Sequence, residues 1–290
     1  MEGAVNLIGL LCAMLIFAYG CYAIWDTNTV VRQATPAKYQ EYKPQAEASP
    51  GYAELKAQNN DVAGWVTVYG TGVDYPVLRT DNNDKYLRTD PLGNYSLSGS
   101  IFIDYKNQAD FSDFNTVIYG HHMAYHVMFG DIGNFINEDY FNSHPYGNLY
   151  YAGKDHGIAF FAFLAVDVYQ TGVYRIAVSE TDRESYLEEL RQTSLYTRPE
   201  IGVSPDDRIV LLSTCSQDIT NGRHILAGKV TDETYPDTFR SDTAKTITLE
   251  AVTEANRDML STWVLVFLAA VLCIAWAVLK GREKQKSDRR

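Results

Sequence analysis

Hydrophobic positions fall along this chain in two regimes. Over 4–25 and again over 260–279 they run on without a single charged residue. At about 1.5 Å of helix rise per residue, each run is long enough to cross a bilayer. Between them, short runs rich in β-branched and aromatic residues alternate with Gly, Asn and Asp, the pattern of strands and turns. The predicted strands are 64–68, 73–78, 101–104, 116–119, 158–166, 174–178, 208–214 and 224–231. Helices are predicted over 51–58, ended by Asn59-Asn60-Asp61, and over 129–137. Over 182–191 the period changes, and Tyr186, Leu187 and Leu190 share one face of an amphipathic helix. Ser179 or Thr181 is placed to cap it. Many short strands with few helices predict a mainly β fold, a closed or nearly closed barrel.

The same pattern divides the chain into an N-terminal transmembrane anchor (1–25), a polar stalk (26–50) and a folded domain (51–240). A membrane-proximal linker (241–259), a second transmembrane helix (260–279) and a basic tail (280–290) follow. The tail sets Lys280, Arg282, Lys284, Lys286, Arg289 and Arg290 against Glu283 and Asp288. Basic flanks stay on the cytoplasmic side, so both termini are expected inside and the middle outside, at the cell membrane. A cleaved signal peptide is the rival reading of the first run. Its sparse basic residues and the lack of a small-x-small site favour an uncleaved anchor. The formal charge is −11, and with the tail set aside the exported part is more acidic still. Without a basic cluster, nucleic acid is excluded as a partner.

Of the four cysteines, Cys12, Cys21 and Cys273 lie in the apolar runs. Cys215 stands alone in the exported part, at the end of Leu211-Leu212-Ser213-Thr214-Cys215. With no disulfide partner there, it is either a core thiol or a nucleophile. On the local pattern alone, a cysteine ending an apolar strand reads as a packed residue. A nucleophile needs a proton donor for the leaving group and a positive or donating group at the oxyanion. The donors on offer are His121, His122, His126, His144, His156 and His224, and Arg223 lies a short hairpin beyond the thiol.

Taken together, Tyr119-Gly120-His121-His122-Met123, the Cys215 run and Arg223 heading the next strand resemble the sortases, membrane-anchored cysteine transpeptidases of Gram-positive bacteria. Leu211 stands where the family signature Thr-Leu-x-Thr-Cys has its first Thr. Gly64-Trp65, Tyr75-Pro76-Val77, Gly99-Ser100-Ile101-Phe102-Ile103-Asp104, Met128-Phe129-Gly130-Asp131-Ile132 and His144-Pro145 look like the class B branch. The resemblance implies a closed, eight-stranded sortase-type β-barrel with a few peripheral helices. It implies Cys215 as nucleophile on a sorting-signal carbonyl, His121 as general acid and then base, and Arg223 at the substrate backbone and oxyanion. Asn83, Ser213 and Thr214 would line the substrate groove.

The implied partners are secreted surface or pilin proteins with a C-terminal sorting signal, and an amine acceptor, either a pilin Lys or a peptidoglycan cross-bridge. No cofactor is implied. No metal site is expected either, because His121, His122 and His126 lack carboxylate or Cys companions. His122 is expected on the opposite face from His121, with the remaining histidines in surface or packing roles. The second span, a trait shared with pilus-building sortases, favours pilin polymerisation over cross-bridge attachment. An alternative of another class is a non-catalytic, tethered β-barrel binding module. Thiol chemistry separates the two, since alkylation of an accessible Cys215 should stop turnover.

Overall fold

The computed structural model describes residues 2–45, 50–167, 169, 172–215, 221–239, 257, 260–273, 275–276 and 280. It divides into two compact units, residues 31–247 and the two chain ends. Helix α1 (Glu2–Ala34), which belongs to the unit of the ends as far as Val30, is, among the described residues, the one helix long and apolar enough to cross a membrane. Leu260–Cys273 is a shorter apolar helix. Much of the expected linker (241–259), part of the expected second span (260–279) and most of the basic tail lie outside the described residues.

The larger unit is a barrel. Its strands are β1 (Val62–Val68), β2 (Asp74–Leu78), β3 (Ile101–Ile103), β4 (Asn115–Tyr119), β5 (Tyr146–Tyr151), β6 (Lys154–Asp167), β7 (Tyr196–Thr197), β8 (Arg208–Cys215) and β9 (Gly222–Thr231). They are ordered β5-β1-β2-β3-β4-β8-β9-β6-β7, and pairing of β5 with β6 closes the ring. Eight strands therefore close, with the two-residue β7 hung on β6. Most neighbours are antiparallel, but β2–β3 and β4–β8 run parallel. Closure removes the exposed edges that an open sheet of this size would carry.

Among the described residues, three α-helices lie outside the ring: α2 (Pro50–Gln58), α3 (Glu138–Ser143) and α4 (Arg183–Thr193). The predicted face of α4 is confirmed, with Tyr186, Leu187 and Leu190 fully buried against Phe161, Leu164, Ile209, Leu211 and Ile225. Burying each such side chain contributes about 1.5–3 kcal/mol. Capping of α4 differs from expectation. A 3-10 turn, Glu180–Asp182, precedes it, and the Ser179 hydroxyl donates to the Asp182 carboxylate at 2.6 Å instead of capping the helix. The 129–137 helix is a 3-10 segment, Gly130–Ile136.

The 174–178 run is not a strand. Tyr174, Ile176 and Val178 instead pack as a cover over the same apolar face as α4. Alternating apolar residues satisfy a covering segment as well as a ladder, so period alone could not separate the two. β5 escaped prediction because its buried positions, Gly147, Leu149 and Tyr151, are spaced by Asn and Tyr. Part of the expected stalk (26–50) is helical. α1 continues to Ala34, a 3-10 helix spans Pro36–Tyr42, and Ala34 and Tyr39 are buried against the barrel.

Candidate active site

Parallel neighbours end at the same edge of a sheet. β4 and β8 pair from Asn115 with Ile209 through Tyr119 with Ser213, and Gly120 N–H donates to Ser213 O at 3.1 Å. The chain therefore leaves β4 toward His121 at the same edge at which β8 ends in Cys215. Across the antiparallel β8–β9 pair, Cys215 stands opposite Arg223. Three segments distant in sequence thus converge at one end of the barrel.

A cavity of about 570 Å³ opens there, lined by His121, Arg223, Asn83, Ser213 and Thr214, with Leu87, Tyr119, Tyr174 and Arg175 also in its wall. The Nε2 of His121 lies 3.1 Å from Leu87 O. A carbonyl only accepts, so this nitrogen carries the proton, and Nδ1 is left to take one. Leu87 ends a 3-10 turn, Lys85–Leu87, whose side chains are held by Asp61: Lys85 Nζ at 2.6 Å and Tyr86 OH at 2.7 Å. Burial pushes the Asp61 carboxyl up, but these donors outweigh it and hold it below its ordinary value. Burial, reinforced by Asp61, pushes the Tyr86 phenol up to about 12.

The floor is a polar network around the buried Asp104. Its carboxylate accepts from Tyr119 OH at 3.1 Å, Asn83 Nδ2 at 2.9 Å and Lys106 N–H at 2.9 Å. Burial, then the charge of Asp104, drives the Tyr119 pKa far above its ordinary value, with the Arg223 cation pulling the other way. The phenol therefore stays protonated and donates. The Asn83 amide is committed within the fold, since its Oδ1 also accepts from Tyr105 N–H at 2.9 Å. Ser213 Oγ and Tyr174 OH share a hydrogen bond of 2.7 Å. Thr214 Oγ1 is buried with no partner among the described residues. The half-buried Arg223 donates to Gly222 O at 3.0 Å beside the cavity.

No protein-family model matches the chain. Sortase B of Listeria monocytogenes is 36% identical over 184 residues, covering 61% of this chain and 72% of that protein. The chain belongs to the sortase B family. It is a cysteine transpeptidase. Among solved structures, sortase B from the Type II pilus of Streptococcus pneumoniae is 41% identical with a TM-score of 0.55, covering 62% of this chain and 98% of that one. A Streptococcus pyogenes class B sortase involved in pilus biogenesis is 36% identical with a TM-score of 0.56, covering 62% and 97%.

Several residues of this sortase's cavity escaped sequence reasoning. Tyr174 and Arg175 were hidden by the false strand; Arg175 is anchored to Glu189 of α4 by an ion pair. The carbonyl of Leu87 has no sequence signal, because any residue supplies one. The other histidines stay out of the cavity. His122 pairs with Met128 across its loop, and its ring lies near Gly133. His144 is buried and stacked between Tyr140 and Phe239, and His156 is stacked on Tyr151. His224 is buried near Phe163, on the face opposite Arg223. His126 contacts the carboxylate of Asp131.

Proposed function

We propose that this sortase B acts through Cys215, His121 and Arg223. The Cys215 thiolate attacks the carbonyl carbon of a peptide bond in a C-terminal sorting signal. Arg223 faces the oxyanion that forms, and collapse breaks the C–N bond as His121 protonates the leaving amine. An incoming amine then gives its proton to His121 and attacks the thioester, which releases the thiolate. Asn83, Ser213 and Thr214 line the groove that holds the signal. What supports this reading is that His121 and Arg223 line one cavity, with Cys215 standing opposite Arg223 in the β8–β9 ladder.

The acceptor amine is a pilin Lys side chain. Support comes from the second apolar run at 260–279 and from the two pilus sortases to which the chain is similar. On this reading 1–25 and 260–279 both span the membrane, the catalytic domain (51–240) faces outward, and both termini are cytoplasmic. Full-length enzyme in lipid nanodiscs, mixed with pilin-like proteins carrying sorting signals, should build SDS-resistant ladders. Ladders that survive Cys215→Ala would sink the chemistry. Transfer to a cross-bridge peptide without ladders would instead assign wall attachment.

A further inference from the structure

The segment that follows the apolar part of α1 is wired into the active site. We propose that residues 34–43 are a positioning element of the transpeptidase, holding both the loop that carries His121 and the loop that supplies the acceptor of its imidazole. This rests on the reading of His121 as acid and base.

The first connection runs through Tyr75 of β2, which is 1% exposed. Its hydroxyl donates to Ala34 O at 2.8 Å and accepts from Met128 N–H at 2.9 Å. Met128 pairs with His122, and Phe129 N–H donates to His121 O at 3.0 Å. One buried phenol therefore joins the end of α1 to the Met128 side of the His121 loop, which is itself paired to the His121 side. That loop holds Tyr125, His126 and Met128 at φ of 62°, 57° and 54°. Residues such as Tyr and Met, unlike glycine, asparagine, aspartate or histidine, adopt this left-handed backbone only where their surroundings enforce it.

The second connection runs to Leu87. Lys38 Nζ donates to Asp90 Oδ2 at 2.9 Å, and Asp90 is 2% exposed. The other oxygen of Asp90 organises the turn just beyond Leu87, accepting from Leu92 N–H at 3.0 Å and Asn94 N–H at 2.8 Å. Between the two connections, Gln40 and Lys43 each donate to Asp74 Oδ2 at 2.8 Å, next to Tyr75 in the chain. Tyr39 is buried beneath, its ring 6.5 Å from that of Tyr75. A passive tether needs none of these bonds, since β2 already has ladder partners in β1 and β3. Their effect is to fix His121 and the Leu87 carbonyl, which come from different loops, at the 3.1 Å that orients the imidazole.

The test uses the full chain in lipid nanodiscs and a quenched-fluorescence sorting-signal peptide, selected from a library as one the wild type cleaves. Tyr75→Phe keeps the ring and removes both hydroxyl bonds. It should speed hydrogen exchange at the Met128 amide and lower kcat by about five- to tenfold, the loss of one or two hydrogen bonds, with KM unchanged. Lys38→Met should lower kcat by a few-fold, Lys38→Arg should restore it, and the double variant should multiply the losses. Lys38 is part-exposed, so this arm stands even where Tyr75→Phe fails to fold. Unchanged exchange in Tyr75→Phe, or wild-type kcat in both Tyr75→Phe and Lys38→Met, overturns the proposal. An active His121→Ala would overturn the acid–base reading itself, so the two failures are distinguishable.

Discussion

Asp104→Ala should destabilise the barrel by about 3 kcal/mol while leaving its topology intact. The carboxylate is 6% exposed and accepts three hydrogen bonds. Bonds to a charged group are each worth about 1.5–3 kcal/mol, but a partner that reaches water recovers part of that. Lys106 is exposed and Asn83 half-exposed, so water replaces the carboxylate for both. The Tyr119 ring packs against those of Phe102 and Tyr174, with centroids 5.5 Å and 6.2 Å away, and its hydroxyl recovers least. At about 2–4 °C per kcal/mol for a domain of this size, Tm should fall by about 6–12 °C. Asp104→Asn keeps an acceptor, and the Tyr119 hydroxyl can turn to accept from the new amide, so its loss should be about 1 kcal/mol. The assay is denaturant unfolding of the full chain followed by tryptophan fluorescence, run as a double-mutant cycle with Tyr119→Phe. A coupling of about 1 kcal/mol or more is expected. Zero coupling, or an Asp104→Ala protein as stable as wild type, would refute the network as a source of stability.

Other consequences can be checked more briefly. Leu190→Ala empties a fully buried position under α4 and should cost about 2–5 kcal/mol with an unchanged denaturant m-value. Burial holds the His144 imidazole below its ordinary 6.5. Its contribution to stability is complete above that value and is lost as pH falls through the lower, folded one, because the unfolded chain binds the proton first. Tm measured from about pH 8 to about pH 5 should therefore fall less steeply in His144→Gln than in wild type. Asp61 acts further down the scale. Its stabilisation, present above the ordinary 3.8, is lost as pH falls through the depressed folded value, and Asp61→Asn should flatten that acid limb in the same measurement.

Much of the fold was legible because its signals are local. The β-branched runs of β1, β4, β8 and β9, and the helical period that turns Tyr186, Leu187 and Leu190 to one side, are fixed by neighbours a few residues apart. The 174–178 run was misread for the complementary reason: an alternating pattern reports that one face is buried, not whether the partner is a strand or the side of a core. β5 was missed because Gly, Asn and Tyr give its buried face too weak an apolar signal.

By itself, the sequence determined the chemistry on offer: one cysteine outside the apolar ends, a histidine after a glycine, and an arginine opening the last strand. It also determined the two apolar runs that bracket the barrel. Only the tertiary structure decided which groups meet. The parallel β4–β8 pair joins positions about ninety residues apart, and such non-local pairing leaves no trace in a short window. The same holds for the Leu87 carbonyl facing His121, and for the Tyr75 hydroxyl between Ala34 and Met128. A hydrogen bond to the main chain depends on where the backbone passes, and side-chain identity cannot encode that.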